Sequence, residues 1–514
     1  MSKITRRKFL ETSAKGVALA SIPIVFQYNP MAAFAAPVGE GMAIDEYYKH
    51  FGVDDSMIRD VMQAALSRGG DYCDVFFQHN ISSYIGLEDK VVNRAYTSVD
   101  FGVGIRVLKG DQTGYSFTEE ITPKAMKLAA KTAANIASDS ASKPPHSFNL
   151  KAPADFYSIE TPWENVKIDT KIPYLQTLSD KVFSHDSNVV KSRVSFSDDT
   201  SYMLLATSDG VVSYDYQPMT QLYVSCVVEK DGQRESGSYN LCARRSIEYY
   251  TPENLDMMAK EAYKRTMILF KSVKPEAGEM PVVLAAGSSG ILLHEAIGHG
   301  MEADFNRKEK SIFWDKIGKP VAEKFVNIID NGTNKSMRGS INIDDEGNES
   351  QKTYLVRDGI MESYMHDRIS AQHYKLKPTG NGRRQSFRFP PLPRMRNTYM
   401  ASGPHTKEEI IASVKKGLYA ETFTNGQVYI GAGDFSFYVK TGYIIENGKI
   451  TKPVKDINII GNGPDVLSKV TMVGNDLTFA KGGWTCGKGG QSVPVSMGQP
   501  TVLVSSITVG GVNS

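Results

Sequence analysis

The sequence predicts an α+β protein, with an N-terminal half of helices and antiparallel strands (residues 45–275) and a β-rich C-terminal half (residues 276–514). Three observations predict it. Before Pro275, helix-spaced and strand-like apolar runs follow one another in a helix–strands–helix layout that occurs twice. From Met280 glycine becomes frequent, the apolar runs shorten, and turns such as Asn331-Gly332, Asn425-Gly426 and Asn447-Gly448 punctuate them. The composition is globular: 514 residues, 41% hydrophobic and 23% charged, enough to bury the cores of about two to four domains.

Residues 1–36 read as an address. Arg6-Arg7 and Phe9-Leu10 precede an apolar run from Gly16 to Phe26 and the small residues Ala32 to Ala36. A charged start, a short apolar stretch and a small-residue cleavage site make a secretory signal, and the arginine pair matches the twin-arginine export type. The expectation is an exported protein of the periplasm or another extracytoplasmic space. Removing this segment leaves 54 bases against 56 acids, so the formal charge of +2 becomes −2.

Asp54 caps a predicted helix over residues 54–67, which Gly69-Gly70 stops. Strands are predicted at 73–78, 82–87, 101–108 and 113–117, followed by a helix that Thr122-Pro123 opens. Residues 138–163 read as an exposed linker or long loop. A helix at 168–183, paired strands near 189–197 and 202–207, a long strand at 221–230 and a helix opened by Thr251-Pro252 complete this half.

The near-neutral charge argues against a general nucleic-acid binder. Four cysteines exclude a disulfide-built scaffold, and single buried thiols suit them better than a Cys226–Cys242 bridge. No run of about 20 apolar residues follows position 40, so no membrane span is expected in the mature chain.

The window with most chemical content is His294-Glu295-Ala-Ile-Gly-His299, on a segment that Ser288 or Ser289 would cap as a helix after a strand at 281–286. Histidines five apart do not share a face of a regular α-helix. A π-type turn, or a helix end at Gly298 or Gly300, would bring both imidazoles to one metal and leave Glu295 beside it as a base for water. The bare spacing also fits two unrelated histidines. Candidates for a third ligand are His366, His373, His405, Cys486, Glu302 and Asp304. Cys486 sits in a glycine-rich stretch read as a flexible loop, with Lys488 near enough to favour a thiolate. Taken alone it fits a small buried residue better than a ligand.

These segments, together with Asp344-Asp345-Glu346-Gly347, Thr379-Gly-Asn-Gly-Arg383-Arg384, Pro393-Arg394-Met395-Arg396 and Cys486-Gly-Lys-Gly-Gly-Gln491, resemble the TldD/PmbA family, also called modulators of DNA gyrase. The chain is similar to its TldD-type subunit. The resemblance implies a barrel-like C-terminal domain carrying the HExxxH helix, with zinc held by His294, His299 and Cys486. It implies a metallopeptidase acting on unfolded or extended peptides, with Glu295 activating a zinc-bound water. It also implies a homodimer, or a heterodimer with a PmbA/TldE-like subunit. The alternatives are a non-catalytic binding subunit of such a heterodimer, and a thiol hydrolase using Cys486. Arg383, Arg384, Arg394 and Arg396 suit structural ion pairs better than substrate contacts, and Asp344, Asp345 and Glu346 suit turns or a partner for a ligand histidine.

Overall fold

The computed structural model describes residues 43–138 and 144–511. The proposed export segment lies outside the described residues.

A single seven-stranded sheet organises the first half. Its strands are β1 (Tyr72–Glu88), β2 (Val91–Lys109), β3 (Gln112–Thr118), β4 (Asn149–Leu150), β5 (Val189–Thr207), β6 (Val211–Lys230) and β7 (Gln233–Ala243). They lie in the order β3-β2-β1-β5-β6-β4, with β7 also on β6. β1 and β5 are each one long strand where the sequence suggests two. The polar middles that look like turns pair with each other, Ile81 against Thr200 and Ser82 against Asp199. Their side chains are matched there too: Ser82 donates to Asp199, and Lys171 meets Asp198 at 2.6 Å. A polar seam with partners for its groups can stay extended.

The seam separates two cores on these strands. Over one end, helices Ile44–Phe51, Asp55–Leu66 and Pro123–Ala133 cover Val75, Phe77, Val103 and Ile105. Over the other, Ile168–Phe183 and Pro252–Met267 cover Ile85, Phe196, Leu222 and Val224. The caps follow the sequence signals: Asp54 accepts from the Met57 amide, and Thr122 accepts from Ala125 with Pro123 in the first turn. The segment expected as an exposed linker is instead partly packed. Tyr157, Ile159 and Trp163 are buried, and Tyr157 gives its hydroxyl proton to Asp215.

The second half holds β8 (Gly278–Leu284), β9 (Ile328–Asn331), β10 (Lys352–Arg357), β11 (Ile360–Met361), β12 (Gly382–Arg383), β13 (Leu392–Pro393), β14 (Asn397–Met400), β15 (Lys416–Tyr429), β16 (Asp434–Glu446), β17 (Lys449–Asn462), β18 (Val470–Val473), β19 (Thr478–Phe479), β20 (Thr485–Lys488), β21 (Gln491–Pro494), β22 (Ser496–Gln499) and β23 (Val502–Gly511). β17-β16-β15-β8-β23 closes on itself through a β17–β23 pairing, so five strands make a barrel. The α+β class with a barrel-bearing C-terminal region is thus borne out. Asn447 and Gly448, both with positive φ, turn β16 into β17. Asn425-Gly426, expected as a turn, lies inside β15, where Phe437 packs so closely over Gly426 that a Cβ would lie 2.3 Å from its ring.

The halves meet through buried charge. Arg106 on β2 ties Asp74 on β1 (2.6 Å) to Glu346 (2.7 Å), and Arg384 reaches Asp74 at 3.1 Å. Asp344 accepts the amides of Glu346, Asn348 and Gly382, and Asp345 accepts that of Arg384. The acidic trio therefore builds a turn and an interface. Among the described residues, no helix is long and apolar enough to cross a membrane, and all four cysteines are free and buried.

Asp330 on β9 is a fully buried carboxylate that gathers four donors. It receives the Arg396 amide and Nε, the Asn381 amide group and the Thr398 hydroxyl, at 2.7–2.9 Å. Burial alone would raise its pKa, but Arg396 and the other donors hold it below the usual aspartate range. Its contribution is complete above the unfolded value of about 3.9 and disappears as pH falls through the depressed folded value. Asp330→Leu leaves the Arg396 guanidinium uncompensated, and urea denaturation at neutral pH should show a loss of about 3–5 kcal/mol. A loss below about 1 kcal/mol would mean that the pair is not holding this sheet together.

Candidate metal centre

The chain leaves β8 and passes Gly287 at φ 94° into a tight turn over Ser288–Gly290. Neither serine caps a helix, contrary to expectation: Ser289 donates back to the Ala285 carbonyl, and Ser288 reaches across to that of Glu421 at 3.1 Å. The following helix widens into a π-helix over Leu293–Gly298, and the His299 amide donates to the His294 carbonyl five residues back. Leu292, Leu293, Ala296 and Ile297 anchor this segment in the core beside the barrel strands.

The π-turn does what the five-residue spacing requires. His294 and His299 face each other with ring centroids 5.1 Å apart and planes at 81°. Gly298 has ordinary helical dihedrals, φ −58° and ψ −53°, so conformational freedom is not its role. A Cβ there would lie 2.1 Å from the Met395 sulfur, and one on Gly300 would lie 2.6 Å from the Phe313 ring. Both glycines serve close packing.

Cys486 arrives from the other end of the half. It lies on β20, which pairs with β21 as a hairpin turned at Gly489 and Gly490, both with positive φ. The expected flexible loop is therefore an ordered hairpin. Arg394 fastens it by donating to the carbonyls of Cys486 and Gln491.

The ligand atoms of His294, His299 and Cys486 all lie within 4.8 Å of one another, and all three residues are buried. Cys486 Sγ stands 3.5 Å from His299 Nε2. Tetrahedral zinc, with Zn–S of about 2.3 Å and Zn–N of about 2.0 Å, sets a sulfur–nitrogen edge of about 3.5 Å. His294 Nδ1 is buried without a hydrogen-bond partner. The donor set and its spacing fit a zinc ion. Burial would push the Cys486 thiol up, but the facing imidazoles of His294 and His299 hold it well below the usual thiol range. Lys488, expected to assist, points elsewhere: its Nζ meets Asp304 at 2.7 Å and Glu302 at 3.0 Å.

Glu295 sits at the edge of this cluster, one carboxylate oxygen 3.9 Å from His299 Nε2. Burial raises its pKa, partly offset by the two imidazoles. Glu302 plays a part that the sequence concealed. It is fully buried, and its Oε2 stands 2.9 Å from His299 Nδ1. Burial pushes its pKa up, but Lys488 and His299 bring it down to about 2. The group holding the His299 imidazole is therefore Glu302 and not the 344–346 trio, and the one available signal was its place three residues after His299. Asp304 pairs with Lys488, while His366, His373 and His405 lie outside the donor cluster. Of the four arginines, Arg384 and Arg396 make ion pairs, and Arg394 fastens the hairpin.

Residues 73–137, 161–270 and 277–511 match, in order, domain 1, the central domain and the C-terminal domain of the PmbA/TldA metallopeptidases. A metalloprotease TldD homolog of Haemophilus influenzae is 40% identical over 454 residues, 87% of this chain and 94% of that one. This chain belongs to the PmbA/TldD metallopeptidase family. It is also similar to a zinc metalloprotease TldD homolog of Saccharolobus solfataricus, at 27% identity over 88% of this chain and 99% of that protein. In fold it resembles a Thermotoga maritima protein (TM-score 0.71, 21% identity, 89% and 100% of the two chains). TldE from Thermococcus kodakarensis is similar too (TM-score 0.69, 17% identity, 89% and 99%).

Within this PmbA/TldD member, the Glu302–His299 contact should raise the basicity of the imidazole and fix its orientation. Glu302→Gln keeps the shape but loses the charge, and zinc affinity should fall about 10- to 100-fold in competition with a chromogenic chelator. An unchanged affinity would mean that Glu302 serves only the ion pair with Lys488.

Proposed function

We propose that this chain is a zinc-dependent peptidase that hydrolyses peptide bonds in unfolded or extended peptides. The observation that carries the reading is the gathering of two imidazoles and one thiolate beside a carboxylate of raised pKa. His294, His299 and Cys486 would hold the ion as three protein ligands, the count that leaves a fourth position free in catalytic sites. Zinc bound there supplies Lewis-acid polarisation of the scissile carbonyl and a lowered pKa for water.

The protein's own part falls to Glu295. Its carboxylate accepts a proton from the attacking water and delivers it to the departing amine. Its place at the edge of the donor cluster, 3.9 Å from His299 Nε2, suits a group that must both take and return a proton. Glu302 keeps the His299 ring in place, and the apolar packing of the π-helix against the barrel limits the water that reaches the site.

The partnership we propose is a homodimer or a heterodimer with a PmbA/TldE-like chain, supported by the fold shared with TldE. In this reading residues 1–36 carry the twin-arginine route to the periplasm or another extracytoplasmic space, residues 45–275 are an N-terminal α+β part that takes in family domain 1 and the central domain, and residues 276–514 hold the peptidase site. A non-catalytic subunit would need none of the four groups His294, Glu295, His299 and Cys486, and their assembly in one cluster favours the enzyme.

Glu295→Gln should abolish cleavage of a casein-type unfolded substrate while keeping about one zinc per chain, because the side chain acts on water and is not a ligand. Joint loss of zinc and activity would make Glu295 a ligand. Cys486→Ser should lose most of its zinc by metal analysis after dialysis, and full retention would remove the thiolate from the site.

A further inference from the structure

A cavity of about 250 Å³ lies between the N-terminal sheet and the hairpin that carries Cys486. Four arginines line it (Arg244, Arg338, Arg383 and Arg384), along with the carboxylates of Asp199 and Asp345 and apolar wall from Phe76 and Met203. Two of the arginines are engaged. Arg384 pairs with Asp74 and donates to the Asp345 carbonyl at 2.8 Å. Arg338 donates to the Trp484 carbonyl, Thr485 Oγ1 and Cys242 Sγ. The carboxylates are engaged too, Asp345 with the Arg384 amide and Asp199 with the Ser82 hydroxyl.

Arg383 and Arg244 differ. They are 4% and 2% exposed, and neither makes an ion pair among the described residues. Arg383 donates to the Met395 carbonyl at 2.6 Å, and Arg244 to that of Pro218 at 3.2 Å. Arg244 Nε is buried without a partner. Burial pulls the Arg383 guanidinium down to about 9. A guanidinium offers five donors in a planar fork, and its charge is expensive to bury uncompensated. Asp345 near Arg383 and Asp215 near Arg244 offset these charges in part without a direct ion pair, and Arg244 also lies over the Tyr157 ring, 4.8 Å from its centroid; the two guanidiniums still leave one small cavity with room for a further anion.

The location gives that anion a role. Thr485 and Val493 line the cavity; Thr485 precedes Cys486 in the chain, and Val493 is its partner across the hairpin. We propose that the cavity is a carboxylate subsite, in which Arg383 and Arg244 receive a carboxylate of the peptide engaged at the metal centre. The inference rests on the peptidase reading and deepens it, because it assigns the substrate a negative charge close to the scissile bond. The planar fork matches a carboxylate in bidentate fashion, and the apolar wall accepts the side chain beside it.

The test uses the zinc-loaded full-length chain carrying Glu295→Gln, so that bound peptide is not consumed. Calorimetry compares acetyl-Ala-Ala-Phe as the free acid, the same peptide as its C-terminal amide, and acetyl-Ala-Ala-Glu amide. The free acid should bind about tenfold or more tightly than the Phe amide, as a charge-assisted contact to a buried guanidinium requires. Arg383→Gln should erase that difference, and Arg383→Lys should restore part of it. Tight binding of the Glu amide assigns the carboxylate to a side chain; weak binding assigns it to the chain terminus. Equal affinity for all three peptides, or no detectable binding of any, overturns the subsite. The acid–amide comparison needs no change at Arg383, so a variant that misfolds does not protect the proposal. Hydrolysis by the Glu295 form is measured separately. Failure to cleave any peptide sinks the peptidase reading and leaves the acid–amide difference standing, whereas cleavage with equal affinities sinks the subsite alone.

Discussion

One widened helical turn governs the chemistry available to this protein. With i→i+4 hydrogen bonding, residues five apart point to different sides of a helix. The bond from the His299 amide to the His294 carbonyl takes in the extra residue and brings the two imidazoles together edge to face. π-Turns are poorer in geometry than α-turns and persist where packing enforces them. Here the enforcement comes from buried leucine and isoleucine on the core side, and from Met395 and Phe313, which pack so close to Gly298 and Gly300 that a Cβ at either would displace them.

Around that turn the structure uses buried charge as positional control. Glu302 touches His299 and Lys488, and Lys488 also reaches Asp304 and the Pro393 carbonyl. Arg394 ties the Cys486 backbone to the segment that leads into Arg396 and Asp330. Each of these groups would be costly to bury alone, and each has partners that define its location. The sulfur donor thus rides on a fastened hairpin and approaches the imidazoles from a fixed direction. Loop-borne glycines at 489 and 490 only turn the chain.

Local signals carried the helices after residue 54 well, because caps such as Asp54 and Thr122 and an apolar stripe are contained within a few residues, whereas Ile44–Phe51, which has no side-chain cap, went unread. The long strands were harder to read. Asp198, Asp199 and Ser201 look like turn residues until their partners on β1 and the helix at 168–183 are known, and those partners lie tens to over a hundred positions away. The same limit applies at the centre. His294, Glu295 and His299 announce themselves by spacing, and Cys486 by resemblance. The use of Glu302 for His299, of Lys488 for Glu302 and of Arg384 for Asp74 depends on where side chains end after folding. A charged residue's type does not say which of several opposite charges it will meet.

The donors also differ in how they depend on the fold. His294 and His299 are joined by one helical turn, whereas Cys486 is 187 residues from His299 along the chain. In an unfolded chain, closing so long a loop carries an entropic cost that grows with the logarithm of its length. A metal gripping all three would therefore bind the folded chain far better than the unfolded one, and by linkage would stabilise it. On the zinc reading the ion joins the barrel-side helix to the β20–β21 hairpin. That hairpin is also held by its two-stranded pairing, by Arg394, Arg338 and Lys488, by hydrogen bonds of Gln385 and Gln491, and by the core packing of Val493. A ligand drawn from a hairpin turned at two glycines thus couples metal loading to local order: the hairpin can present its thiolate when ordered, and the ion favours that ordered state.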